Sequence, residues 1–544
     1  MHPFSRLKTL VRSGAVALAF VLWLGALADR AVAQTPTVTL DPAVRHQQFN
    51  GFGTGSIFYH GHLARGVPPG YVNSTYDLLF RQLDHKYLMF WLRPNEDPND
   101  NAAPSTVNWS GFTFGEAQQD YVTVINAAKA RDTNLVIIAT VYTPPAWLKS
   151  NRSLYNGGTL DTTVPNAYEE FAEFVFANLH WFKQRGVVVS ILAWMNEPDY
   201  TLSHEDSDFT AAQARDVHRY CVPQLQTLIA STQNTAGLQM PQIMGPQTLS
   251  VSTAASYVDT LKASPTAWSN THYIATHQYG GSSIANFSNL VQKAAGKPVL
   301  MSEWHCANND DIDPEDVEVV EQSRAICTAL NGGVNGYLWF EANHPGNGFA
   351  GLIHLPWWDT DGPNLTRTYH SWRQWLSLTP QGAQRINARG ENLPASVEGS
   401  VALHLTNSTN AVLHLVKSGT NVDALHLRVA GKLITRVEQW RTSASLGYAR
   451  VLDSSFGAGT NRFATQLAGN QLSSYRLHFS TDPLLGTNGP LAFWRCDDGS
   501  GGVADDYTGH GFSGSLQNAP AWTNTPAGRR QLQFNTSKCP ACPT

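Results

Sequence analysis

Two glutamates stand just past apolar runs. Glu197 lies in Trp194-Met195-Asn196-Glu197-Pro198 after the run 187–195, and Glu303 lies in Met301-Ser302-Glu303-Trp304-His305 after the run 298–301. A carboxyl at the carboxyl end of a buried parallel strand is held rigidly, at the rim where a barrel keeps its chemistry. Two such carboxyls facing each other can split a glycosidic bond with retention. One stays protonated for the leaving group, while the other attacks as a carboxylate. For that chemistry the carboxyl groups should lie about 5–5.5 Å apart, with the acid partner raised in pKa. Proline cannot donate to a strand ladder, so Pro198 ends its strand with Glu197 at the rim. The Asn196 amide beside it is placed to hydrogen-bond a sugar hydroxyl. A lone strand-end glutamate is more often a salt-bridge partner. Two of them 106 residues apart, the spacing of three strand–helix units, point to catalysis.

The elements that must carry them follow from the apolar pattern. Eight strands are expected between residues 49 and 375, at 49–56, 87–93, 135–142, 187–195, 242–248, 273–279, 298–304 and 336–340, with helical periodicity between several of them, as at 168–185 and 314–330. Alternation of this kind predicts an α/β chain whose main domain is a (β/α)8 TIM barrel. The acidic run Asp310–Asp316 reads as a helix cap and solvated loop: Asp313 caps, Pro314 takes the first helical position, and acids follow. After Trp375 the period changes to two, as in Val401-Ala402-Leu403-His404-Leu405, Val412-Leu413-His414-Leu415 and Ala424-Leu425-His426-Leu427. That pattern predicts an antiparallel β-sandwich over 376–482, joined by a strand from 34–48. Its three histidines are expected on the solvated face, with no metal between them.

Composition sets the remaining bounds. At 544 residues and 42% hydrophobic, the chain can bury a large core and form several domains. Residues 1–33 have the pattern of a secretory signal: basic Arg6, Lys8 and Arg12, an apolar stretch Gly14–Ala28, and Ala31-Val32-Ala33 for cleavage. The apolar stretch falls short of the roughly 20 residues of a membrane span. An exported protein, extracellular or periplasmic and without a membrane anchor, is therefore expected. The formal charge is −5; residues 1–33 contribute four bases against Asp29, so the rest stands at −8. Nucleic acid is excluded as the main partner, and a neutral or weakly charged substrate suits. Six cysteines are too few for a disulfide framework. Cys306 and Cys327 are not expected to pair, whereas Cys496 has Cys539 or Cys542 as a possible partner. Cys539-Pro-Ala-Cys542 has no second pair to complete four zinc ligands. No metal and no cofactor is expected, and the chain should act as a monomer.

Across residues 37–482 the motifs resemble glycoside hydrolase family 30. They are Phe49-Asn50-Gly51-Phe52-Gly53, Leu92-Arg93-Pro94, Thr143-Pro144-Pro145-Ala146-Trp147-Leu148-Lys149, Asn196-Glu197-Pro198-Asp199-Tyr200 and Ser302-Glu303-Trp304. The resemblance implies a barrel followed by a β-sandwich, with Glu197 as general acid/base and Glu303 as nucleophile. It also implies that Arg93 hydrogen-bonds the nucleophile and keeps it ionised, and that Tyr279 touches it. Trp147 and Trp339 would form apolar walls for the C–H faces of a sugar, with His277, Trp357 and Trp358 as further candidates. The family's glucuronate-reading xylanases use arginines in the eighth strand–helix loop; residues 341–358 hold none, so glucuronate dependence is not expected. Thr-Pro-Pro-Ala-Trp-Leu-Lys resembles the glucosylceramidase-like members, and Asn-Glu-Pro-Asp-Tyr the xylanase-like ones. The implied activity is retaining hydrolysis of a β-linked polysaccharide, xylan first. Glucosylceramidase-like or β-1,6-glycanase action, and a carbohydrate-binding barrel without activity, are the alternatives. Residues 483–544 resemble the start of a concanavalin-like (laminin G-like) module.

Overall fold

The computed structural model describes residues 35–95, 106–280, 282–306, 315–345, 350–355, 362–405 and 408–481, with four short strands beyond residue 502. Residues 1–33, Asp313, Pro314, Trp357, Trp358 and the cysteines at 496, 539 and 542 lie outside the described residues, as does the expected C-terminal module apart from those strands.

The first strand, β1 (Thr37–Gln48), belongs to the appended sheet. Eight parallel strands then close a barrel in chain order: β2 (Gly51–Gly55), β3 (Tyr87–Leu92), β4 (Val136–Val141), β5 (Ile191–Ala193), β6 (Gln242–Ser250), β7 (Tyr273–Gly280), β8 (Val299–Glu303) and β9 (Gly336–Trp339). The expected TIM barrel with an appended β-domain is the observed fold. Barrel strands are covered on both faces, by the lumen and by helices, so they read as continuous apolar runs. Every residue of β3, Tyr-Leu-Met-Phe-Trp-Leu, is buried. The run 187–195 yields a strand of only three residues, because the chain before it is still a loop and Val188 is 51% exposed. Glu197 thus sits four residues past β5, and its amide N–H donates to the Gln247 carbonyl of β6 at 2.9 Å. The expected helix at 168–185 is found at Ala167–Gln184, with Glu169 and Glu170 in its positively polarised first turn. The helix expected at 314–330 is Glu315–Asn331. Cys306 and Cys327 are buried and not joined in a disulfide.

Residues 384–481 and β1 build a nine-stranded sheet around its own core of Val38, Leu40, Leu413, Leu415, Leu425, Leu427, Tyr475 and Leu477. In it β1 pairs antiparallel with Gln384–Glu391 and parallel with Val422–Val429. The histidines depart from expectation. His414 is fully buried, stacked on Trp375 with ring centres 4.0 Å apart, and bonded to Ser474 Oγ at 2.8 Å. His404 is buried as well, and His426 is half-buried. For His414 the face that alternation marks as solvated is where the barrel docks, whereas His404 lies against Phe479 of the sheet's own core. Gln374 of the helix Arg367–Leu378 donates to the Leu472 carbonyl and to Ser474 Oγ, at 3.1 and 2.8 Å. Gly399 permits a second close approach, since a Cβ there would lie 3.0 Å from Cys327 Cβ.

Candidate active site

At the carboxyl end of the barrel the structure brings together Glu197, Glu303, His277 and Tyr279. Glu197 and Glu303 are buried, at 5% and 6% exposure. Each offers a carboxylate oxygen that, with a His277 ring nitrogen, forms a set of atoms all within 4.8 Å of one another. Retaining pairs hold their carboxyl groups about 5–5.5 Å apart, whereas inverting pairs leave about 6.5–9.5 Å for a water. His277 of β7 stands opposite Glu303 of β8 in strand register. Its Nδ1 lies 2.8 Å from Glu197 Oε1 and 3.8 Å from Glu303 Oε1. One hydrogen lies between Nδ1 and Glu197 Oε1: the imidazole donates it to an ionised carboxylate or accepts it from a protonated one. Tyr279 donates its hydroxyl to Glu303 Oε1 at 3.2 Å, and Tyr142 makes a longer contact, 3.5 Å, to Oε2.

Glu197 has a left-handed backbone, φ 42°, and so does its hydrogen-bonded neighbour Gln247, φ 56°. Such conformations cost about 1–3 kcal/mol each and persist where the surroundings over-determine them. Gln247 is fully buried and accepts from Thr140 Oγ1 at 2.7 Å, which fixes the platform under Glu197.

Proton placement follows from burial and charge. Desolvation lifts the Glu303 carboxyl to about 7; His277 opposes the lift, the Glu197 charge adds to it, and the two tyrosine hydroxyls oppose it. Burial beside a second carboxyl thus raises Glu303, the member of the pair that the resemblance implies to be the ionised nucleophile. Burial alone would lower His277; the charge of Glu303 and the hydrogen bond and charge of Glu197 outweigh it and raise the imidazole. Burial, reinforced by the two glutamates, holds the Tyr142 and Tyr279 phenols well above their ordinary value, so both hydroxyls remain donors.

Two expected contacts are not found. Arg93 does not bond Glu303: its guanidinium donates to Glu205 Oε1 at 2.8 Å and lies over the Trp91 ring, 4.4 Å from its centre. Glu205, a carboxylate in the loop after Glu197, is the partner that Arg93 takes in place of Glu303. Trp339 is a core side chain with no exposure, its Nε1 donating to the Ala350 carbonyl at 2.7 Å and its ring against Trp304 and Trp372. Strand alternation turns Trp339 toward the helix layer, and the next residue, Phe340, faces the site. Trp147 lies in the turn Ala146–Leu148 after β4, half-buried, with its Nε1 unpaired among the described residues. Asn196 is buried beside Glu197, and its Oδ1 likewise has no partner among the described residues.

Three further side chains complete the site. Tyr142 follows β4 at a strand end, the same position that marked Tyr279. Phe58, 36% exposed, stands among four rings: Trp91 at 5.9 Å, Tyr142 at 6.3 Å, His204 at 5.2 Å and Phe340 at 5.7 Å. Glu341, a third glutamate just past a barrel strand, is wholly buried, and its Oε2 accepts the amides of Ile57 and Phe58 at 3.1 and 3.2 Å. Burial pushes its carboxyl up to about 8. Glu341 is thereby a tie for the Phe58 loop rather than a member of the pair.

Glu197, His277 and Glu303 are also the set among the described residues that can offer three ligand atoms to a metal ion. Glu197 Oε1 and both Glu303 oxygens are already engaged by His277 Nδ1 and the tyrosine hydroxyls, which suits a proton-transfer pair better than a cation site.

No protein-family model matches the chain. An endo-1,6-β-D-glucanase of Trichoderma harzianum is 24% identical over 208 residues, 33% of this chain and 41% of that protein, so the chain matches less than half of the relative's length. Among solved structures, a glycoside hydrolase family 30 subfamily 8 xylanase from Clostridium acetobutylicum superposes with a TM-score of 0.63 at 20% identity, covering 81% of this chain and 99% of that one. The catalytic domain of a family 30 xylanase from Talaromyces cellulolyticus gives 0.66 at 17% identity, with 81% and 99% covered. The resemblance to glycoside hydrolase family 30 is therefore borne out in the fold: this chain is built on the same barrel and appended β-domain as the xylanases of that family.

Proposed function

We propose that this chain is a secreted retaining β-glycosidase that hydrolyses a neutral polysaccharide, with xylan the first candidate. The observation that carries the reading is the buried pair Glu197 and Glu303, with reactive oxygens within 4.8 Å and His277 between them. Glu303, oriented by Tyr279 and Tyr142, attacks the anomeric carbon and forms a glycosyl–enzyme ester. Glu197 gives its proton to the departing oxygen, then takes one from the water that cleaves the ester. His277 occupies Glu197 Oε1, leaving Oε2 to face the glycosidic oxygen. The export pattern of residues 1–33 supports secretion. Buried donors that hold the nucleophile ready, together with two carboxyls, weigh against a merely binding barrel.

A second reading, cleavage of β-1,6-glucan, is favoured by the Trichoderma relative, named as an endo-1,6-β-glucanase. Release of reducing sugar from unsubstituted xylan, glucuronoxylan and β-1,6-glucan, beside turnover of glucosylceramide, separates the readings. Depolymerisation of xylan is expected. Release from β-1,6-glucan alone would select the second reading, and turnover of none would overturn the enzyme.

A further inference from the structure

Phe58 faces two ways. One side belongs to the ring cluster around the nucleophile, through Tyr142. On the other it lines a separate cavity of about 480 Å³, shared with His60, His62, Arg65, Glu116 and Asp120. That volume falls within the roughly 300–1,000 Å³ of small-molecule sites. No residue that hydrogen-bonds Glu197 or Glu303 lines it, so it is distinct from the site of bond cleavage.

The polar lining is organised. Arg65 is bonded by Asp120 on two of its nitrogens, both at 2.9 Å, and by Glu116 at 2.8 Å. Two acids around one cation leave a slight negative excess. His60 is stacked on Tyr121, 3.7 Å between ring centres, and burial takes its imidazole down to about 4; burial lowers His62 as well. Neither ring adds positive charge at neutral pH. The Phe58 main chain is fixed from below, by Glu341 on its amide and by the Tyr121 hydroxyl on the Ile57 carbonyl at 2.7 Å. An aromatic face held this firmly, beside outward carboxylate and guanidinium groups in a pocket with no net positive charge, suits a neutral sugar ring.

Resting on the glycosidase reading above, we propose that this cavity is a distal sugar subsite, in which Phe58 stacks on a neutral pyranose unit and Glu116, Arg65 and His62 bond its hydroxyls. It disfavours a uronate, because its only cation is already shared by two carboxylates. A chain reaches it from the cleaved bond only if it is long enough to extend past Phe58.

The test compares wild type with Ala117→Phe, which fills the cavity, on linear β-1,4-xylo-oligosaccharides and β-1,6-gluco-oligosaccharides of two to six units. Wild-type kcat/KM should rise with length on the cleaved series. In A117F the gain on the longest chains should shrink about tenfold, through KM rather than kcat. Parallel length profiles for the two proteins would overturn the subsite, as would preference for glucuronate-bearing chains. If A117F melts below wild type, His62→Ala and Glu116→Gln carry the same comparison. If wild type cleaves no oligosaccharide, the glycosidase reading fails by itself, and calorimetric titration of the hexamers into both proteins decides the pocket. Weaker binding by A117F sustains it; equal binding, or none to either protein, overturns it.

Discussion

His277 Nδ1 lies 2.8 Å from Glu197 Oε1, inside a site where both side chains are almost wholly shielded from water. The imidazole therefore sets which oxygen of Glu197 can face a substrate. His277→Ala should lower kcat about 100-fold on substrates with poor leaving groups, the lower end of what a positioned acid contributes. The loss should be much smaller on an activated aryl glycoside, which departs with little protonation. Equal losses on both would show that His277 does not act through Glu197.

The same imidazole makes a prediction about stability. Its pKa is raised above 6.5 in the folded protein. Its contribution is thus complete below 6.5 and is lost as pH rises through the folded value. Denaturant unfolding should find His277→Ala more destabilising at pH 5 than at pH 8. A pH-independent difference would contradict the paired geometry.

Glu341 has the opposite sign of effect. It is an acid raised from 4.5 to about 8, so between those values the folded state holds the proton that the unfolded state has released. Wild-type stability should fall with rising pH across that window, by at most about 1.4 kcal/mol per pH unit from this group. Glu341→Gln keeps an acceptor for the Ile57 and Phe58 amides and removes the titration. Its stability curve should therefore be flatter than that of wild type from pH 5 to 8. Parallel curves would show that Glu341 is ionised in the folded protein.

Arg93 and Glu205 form a partly exposed pair, with 29% and 13% of their side chains accessible. A double-mutant cycle with Arg93→Met and Glu205→Gln should give a coupling of about 0.5 kcal/mol, modest because water screens it. Tyr279→Phe should depress kcat further than Arg93→Met. Zero coupling, with Arg93→Met as damaging as Tyr279→Phe, would return Arg93 to the nucleophile.

The barrel was legible because a strand buried on both faces leaves a continuous apolar run, and each of the eight runs contains a strand. Glu197, Glu303 and Tyr279 shared one signal, a polar side chain just past such a run. The same signal was present at Tyr142 and Glu341. Sequence does not say which strand ends face one another across the lumen, so Glu341 could not be told from a catalytic carboxyl. Trp339 shows the complementary limit: at the last residue of a strand, one step of alternation decides between site and helix layer. Phe58 lies in a loop with no periodicity, and its place depends on amides bonded to a residue 283 positions away. His414 misled because the alternating pattern records one covered face, whereas docking on Trp375 covers the other.

The central claim is the division of labour between the two glutamates, and azide rescue tests it most directly. With an aryl β-glycoside whose leaving group needs no proton, Glu197→Ala should still form the glycosyl–enzyme on Glu303. Azide then displaces that ester and gives a β-glycosyl azide. In Glu303→Ala, azide takes the place of the missing nucleophile and inverts the substrate once, giving the α-azide. Proton NMR of the anomeric centre distinguishes the products. A β-azide from Glu197→Ala and an α-azide from Glu303→Ala is the predicted result; the same anomer from both, or the reverse assignment, would contradict the roles given to this pair.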